Sequence, residues 1–373
     1  MNQERITQNQ LLLFFTLYFF STAVGFSFGP LVKQTGYDAW IVLYIGALCG
    51  VLFAFFTLKL AKRRPYEYLV HYGKEILPIW IHVPFMMVLF FFYLHLGAYI
   101  LREYEDFMVQ TYLPTTPGVA VGIIFGFVIA ITVRLGIETL FRTAQGLFFI
   151  ILVAVFLQNF FIGNEFEWDR WMAFVTNHQL PGFFKGVYSI APWFGEVVLL
   201  IFFFPLISEN KKTLKSIMWA SAISTTMLVV NVVSILFLFG PDLASHLTYP
   251  TLEMIRYIHI ADFIENFDPL MVAIWSTTVF LKVSIALYVA VIIFSQLFKL
   301  KDYRPLTFSL AMVMITMSLQ MSENTAELND FFEISWATFA YFVEFIPILY
   351  LVVDTIKRRN IKQKNADRKI SEI

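Results

Sequence analysis

Residues 189–198 read SIAPWFGEVV, in the middle of an apolar run that extends from about 182 to 207. Pro192 removes a backbone donor, Gly195 lacks a side chain, and Glu196 places a charge where a membrane-crossing helix is least tolerant of one. A second interrupted stretch, TAVGFSFGP at 22–30, lies five apolar runs earlier and carries Gly25, Gly29 and Pro30. Backbone polar groups in lipid must be paired, so a broken helix survives only where its freed groups face protein or a cavity. Two breaks five runs apart are the pattern of a 5+5 inverted repeat, with the first helix of each half discontinuous at a mid-membrane ligand site. On this reading the freed amides of 25–29 point at an anionic group such as a carboxylate, helped by the positive end of a half-helix. Gly25 and Gly29 also form a G-x-x-x-G pair, as do Gly46/Gly50, Gly122/Gly126 and Gly182/Gly186. Small residues at that spacing equally serve close helix packing.

Composition agrees with a membrane solvent. Hydrophobic residues make up 58% of the 373-residue chain and charged residues 14%, with 43 phenylalanines and a mean hydropathy of +0.69. A soluble domain carries roughly 25% charged residues. Ten apolar runs of about 20 residues are expected as spans: 11–32, 39–58, 79–101, 118–133, 144–163, 182–207, 216–240, 270–298, 306–322 and 331–353. With the N-terminus inside and the runs alternating, 21 of the 27 Lys and Arg residues fall on the inner side and 5 on the outer, with Lys282 inside a run. That asymmetry follows the positive-inside rule and places both termini in the cytoplasm. No cleavable signal segment is read at the polar start MNQERITQNQ. The chain divides into a transmembrane domain, 1–356, and a basic tail, 357–373, which reads as an orientation signal or a contact with anionic lipid. The segment 241–269 is expected as short helices lying over the outer face.

Zero formal net charge gives no nucleic-acid signature, and one cysteine, Cys49, excludes an internal disulfide or a cysteine metal cluster. No metal triad or nucleophile–base set is present, so no catalytic residue, metal site or cofactor is expected and the chain is not read as an enzyme. The ionisable residues inside the runs are Glu196, Lys282, Glu344 and His95. Glu196 and Lys282 are either ligand or proton partners or a structural ion pair. His95 reads as a packing histidine. Tyr93 with Gly97, and Ser284 with Tyr288, are i,i+4 pairs that put a hydroxyl beside each helix face.

These residues resemble the spore germination permease family, the B subunits of nutrient germinant receptors, within the amino acid–polyamine–organocation superfamily. The resemblance covers the whole chain. It is carried by LREYEDFMVQTYLPTTP at 101–117, RLGIETLFRTAQ at 134–145, LTYPTLEMIRYIHIADFIENFD at 247–268 with Trp275 beyond it, and the interrupted first run. It implies an all-α LeuT-like fold with discontinuous helices 1 and 6. It implies a subunit of the inner spore membrane that works with A and C subunits and binds a small germinant, an amino acid or a sugar. The pocket it implies is lined by Gly25, Phe26 and Ser27, by Tyr93 and Gly97, by Trp193, Gly195 and Glu196, and by Ser284 and Tyr288. The bulky GFSFGP break departs from the small-residue run of amino acid transporters. An autonomous proton-coupled transporter and an ion-conducting or scaffold subunit are the competing functions.

Overall fold

The structure, a computed structural model, describes residues 5–22, 27–257, 268–322, 327–328 and 335–371. Its helices are α1 (Gln8–Thr22), α2 (Phe28–Thr35), α3 (Ala39–Ala61), α4 (Leu69–Ile76), α5 (Ile79–Thr111), α6 (Gly118–Leu135), α7 (Ile137–Ile162), α8 (Ala173–Thr176), α9 (Leu180–Gly195), α10 (Thr213–His246), α11 (Pro250–Arg256), α12 (Asp268–Leu297), α13 (Leu306–Gln320) and α14 (Ala337–Ser371). Runs this apolar can satisfy their backbone in lipid only by closing it into helices.

Among the described residues, eight helical stretches are long and apolar enough to cross a membrane, against ten runs in the sequence. The other two runs fall on α1 and α13, of 15 residues each. At about 1.5 Å per residue each reaches about 22 Å, short of a hydrocarbon core of about 30 Å. The first run is two helices, α1 and α2. The third continues to Thr111, ten residues beyond its expected end, and α14 runs unbroken through the expected tail boundary. Over the expected surface segment 241–269 the structure has α11 and the last turn and a half of α10, while 258–267 lie outside the described residues.

The apolar helix α12 is the centre of the bundle, with 83% of its most apolar window buried. It packs along α5 and also meets α1, α6, α7 and α13. Glycine sets the closest seam. Side chains added at Gly46 and Gly50 of α3 would overlap Ile190 and Phe194 of α9, so this G-x-x-x-G pair brings two helices to backbone contact. Gly122 and Gly126 of α6 lie in the same way against Glu105 and Ile315, and Gly182 and Gly186 against Gln34 and Thr35.

Helix α10 kinks at Gly240, whose φ is +68°. Pro241 has no N–H to give the Phe237 carbonyl four residues back, and Gly240 has left the helical path that would serve Leu236. Arg170 Nη1 lies 3.1 Å from Phe237 O and 3.3 Å from Leu236 O, and the Glu167 N–H also donates to Phe237 O at 3.2 Å. At the end of the bundle where the chain begins, Ile6 pairs with the 206–208 strand-like turn. Its N–H donates to Leu206 O and its carbonyl accepts from Ser208 N, each at 2.9 Å. Gln8 adds a bond to Ser208 O at 2.7 Å and accepts from Ser216 Oγ at 2.9 Å. The lead into one interrupted helix is thereby clasped to the exit of the other.

Candidate functional site

The second break falls where the sequence places it. Helix α9 ends at Gly195, and the chain tightens into a 3-10 segment, Glu196–Phe202, followed by another at Phe204–Leu206. Glu196 is the first residue of the tightened stretch and is fully buried. Lys282, halfway along α12 and equally buried, sets its Nζ 2.8 Å from Glu196 Oε2. Tyr18 of α1 donates its hydroxyl to the same oxygen at 2.7 Å, and the Lys282 ammonium stands 4.7 Å from the Tyr18 ring centroid. Of the two sequence readings of Glu196 and Lys282, the ion pair is the arrangement present. Two charges taken out of water need each other and further hydrogen bonds, and Tyr18 supplies one.

Around this pair lie more polar groups. Glu344 of α14 is fully buried, and its carboxylate rests on the bare backbone of Gly195, where a Cβ would overlap it. Neither Glu344 oxygen has a hydrogen-bond partner among the described residues; nor do Glu196 Oε1, the Tyr93 hydroxyl and Ser284 Oγ. Tyr93 comes from α5, its ring edge-on to Phe202 at 5.9 Å, close enough to feel the charges of Glu344 and Glu196. Ser284, two residues along α12 from Lys282, lies about 200° round the helix from it and so on the other face. Buried polar atoms are nearly always paired, so an unpaired set in one place marks ground for water, an ion or a ligand.

At the first break only the flanking residues are described. Gly25 and Phe26 lie outside the described residues. Ser27 stands at the residue before α2 and is buried, Pro30 sits in its first turn where the missing donor matters least, and Gly29 packs against the Leu247 carbonyl. The structure still brings the two broken stretches together, with Phe19 and Phe194 ring centroids 5.4 Å apart. Trp193 is buried on the last turn of α9. Gly97 faces α13, where a side chain would strike Met314. Tyr288, one turn beyond Ser284, sets its ring edge-on to Tyr303 at 5.7 Å.

Sequence reasoning misses three groups. Tyr18 is hidden in LLLFFTLYFFST, where a tyrosine among phenylalanines reads as apolar core. Glu103 and Glu105 are placed beyond a span that in fact continues over them. Glu103 accepts from Tyr99 at 3.0 Å and Glu105 from Ser318 at 3.0 Å, and both are buried. Their signal is the four-residue spacing of Tyr99 and Glu103. Outside the spans, His178 Nδ1 lies 2.6 Å from Asp38 Oδ1, joining the end of the α2 region to the approach to α9. The hydrogen bond and charge of Asp38 raise the imidazole pKa above its ordinary value. Among the described residues no three His, Cys, Asp or Glu converge to hold a metal ion.

Two solved structures with bound small molecules are similar in shape. Mhp1, a nucleobase-cation-symport-1 family transporter solved closed with bromovinylhydantoin, aligns with a TM-score of 0.64 at 11% identity, over 88% of this chain and 75% of its own. MhsT in complex with L-phenylalanine aligns with a TM-score of 0.62 at 16% identity, over 91% and 88%. The fold is the LeuT-like one. In sequence, spore germination protein KB of Bacillus subtilis (strain 168) is 24% identical over 99% of this chain and 100% of its own length. The putative spore germination protein YfkT of the same organism is 25% identical over 94% and 96%. Spore germination protein XB of Bacillus anthracis is 25% identical over 69% and 72%. The profile described as "Spore germination protein" matches residues 5–326. With that match over most of its length, the chain belongs to the spore germination protein family, as a multi-pass, permease-like membrane protein.

Proposed function

We propose that this chain is the nutrient-sensing subunit of a spore germinant receptor. It binds a small germinant, an amino acid or a sugar, at the buried cluster where its two interrupted helices meet. It sits in the inner spore membrane with both termini in the cytoplasm, beside A and C partner subunits that read its conformation. The observation that carries the reading is the set of partnerless buried polar atoms at the α9 break, on Glu196, Glu344 and Tyr93, beside the Glu196–Lys282 pair. Of the other residues of the expected pocket, Trp193 and Gly195 lie at the α9 break and Ser27 at the start of α2, Gly97 and Tyr288 pack against Met314 and Tyr303, and Gly25 and Phe26 lie outside the described residues. A ligand shifts a conformational balance only by binding one state better. Charges and hydroxyls at a helix break supply that difference, because closing the break changes what they touch.

The test is germination of spores carrying Tyr93→Phe or Ser284→Ala, each of which removes a buried hydroxyl and little else, with protein level checked by blot. The expected result is a raised nutrient requirement at normal protein level. Unchanged responses from both variants overturn the siting. The fold shared with Mhp1 favours a second reading, an autonomous transporter. Uptake of labelled nutrient by the purified chain alone in liposomes decides for it.

A further inference from the structure

Helix α6 ends and α13 begins at the end of the bundle where Lys and Arg concentrate, and the seam between them opens as a recess of 430 Å³. Two arginines line it, Arg134 from the last turn of α6 and Arg304 from the turn before α13, with Ile131, Leu135 and Phe308 as its apolar walls. The Arg134 guanidinium stands over the Phe308 ring, 5.4 Å from its centroid. Other arginines at this end are held by acids: Arg63 and Arg358 by Asp354, Arg64 by Glu75, and Arg142 by Glu138. Among the described residues no acid pairs with Arg134 or Arg304. Phe308 also lines a second hollow, a groove of 620 Å³ that continues along the exposed face of α13 over Met312, Val313, Thr316 and Met317. From Phe308 to Thr316 it follows about 12 Å of helix. A doubly cationic mouth thus opens into an apolar run.

The geometry points to an anionic glycerophospholipid of the bilayer as the occupant of this seam, its phosphate on Arg134 and Arg304 and an acyl chain along the α13 groove. A guanidinium offers paired N–H donors that match phosphate oxygens, and basic recesses between spanning helices suit anionic headgroups. The Phe308 ring under Arg134 holds one of the two cations at the mouth. Charge picks the lipid class. A zwitterionic headgroup brings its own cation to a mouth that already holds two, whereas a phosphatidylglycerol headgroup brings only the phosphate charge. The groove separates a lipid from a free anion. Inorganic phosphate would fill the mouth and leave Met312, Val313 and Met317 uncovered, while a lipid covers the mouth and the groove together.

The experiment uses the full chain purified in a neutral detergent and offered dioleoyl phosphatidylglycerol and dioleoyl phosphatidylcholine in equal amounts, with retained lipid counted by native mass spectrometry. The expected result is preferential retention of phosphatidylglycerol, which excess inorganic phosphate does not displace. Arg134→Gln and Arg304→Gln each weaken that retention by about fivefold, the worth of one basic residue at an anionic surface. Arg142→Gln, at the same end but paired with Glu138, leaves it unchanged. Four outcomes overturn the proposal: equal retention of the two lipids, displacement by inorganic phosphate, unchanged retention in the double variant Arg134→Gln/Arg304→Gln, or an equal loss from Arg142→Gln. Should the Arg134 and Arg304 variants fail to accumulate, the lipid comparison and the phosphate competition on the unaltered chain decide alone. Retention of neither lipid leaves the recess to an acidic segment of a partner chain and overturns the proposal as well.

Discussion

The Glu196–Lys282 pair yields a prediction with a sign that depends on having both charges. Substitution of Lys282 by Met keeps the bulk of the side chain and removes its ammonium from a position with no exposure. Glu196 is then left with the Tyr18 hydroxyl and no cation at 2.8 Å. Breaking a buried pair from one side destabilises by about 3 to 5 kcal/mol, because the surviving charge stays out of water. Glu196→Gln, which strands Lys282 instead, falls in the same range. The double variant Glu196→Gln/Lys282→Met removes both charges and lies within about 1 kcal/mol of the unaltered chain, since an uncharged pair of similar shape carries no desolvation penalty. Tyr18→Phe loses one interhelical hydrogen bond, worth about 1 kcal/mol in a membrane bundle. The assay is the thermal stability of the four purified variants in one detergent, read as the fraction remaining monodisperse. Two unstable single variants and a recovered double variant are expected. A stable Lys282→Met, or a double variant as unstable as the worse single one, refutes the claim that the two charges exist for each other.

Further predictions concern the scaffold. Gly50→Ala forces a methyl group into Phe194 and destabilises by about 1 to 3 kcal/mol, whereas Gly146→Ala, with nothing within 4 Å, leaves melting unchanged or slightly raised. Arg170→Ala leaves the Leu236 carbonyl at the α10 kink without a donor, while Phe237 O keeps the Glu167 N–H, and lowers thermal stability by about 1 to 2 kcal/mol. The His178–Asp38 link carries a pH signature. Because Asp38 raises the imidazole pKa in the folded chain, its contribution is complete below the unfolded value of about 6.5 and is lost as pH rises through the folded value. Melting temperatures between about pH 5.5 and 8.5 should therefore fall less steeply for Asp38→Asn than for the unaltered chain, and parallel curves count against the link.

The fold was largely legible because lipid leaves a chain few choices. Length, hydropathy and the distribution of Lys and Arg place the starts of most spanning helices to within a few residues. They err where a helix outruns its apolar stretch. Helix α5 continues ten residues past its expected end because Glu103, Glu105 and Tyr99 are sheltered by neighbouring helices and not by lipid. The G-x-x-x-G pairs were readable as seams, and those within the described residues are seams. At the first break the flanking residues take the packing alternative the sequence also allows: Pro30 lies in the first turn of α2, and Gly29 lets the Leu247 carbonyl approach.

The site was legible one residue at a time and not as a set. A charge inside an apolar run announces itself, so Glu196, Lys282 and Glu344 all stood out. Nothing in their spacing tells which of the two acids holds the lysine, because the three sit on elements about 60 to 90 residues apart. Packing decides it. The 3-10 turn after Gly195 carries Glu196 toward α12 and α1, where Lys282 and Tyr18 converge on a single oxygen. The same turn leaves the Gly195 backbone bare toward α14, and Glu344 occupies that gap. One glycine thus separates a carboxylate that has its counter-charge from one that lacks it.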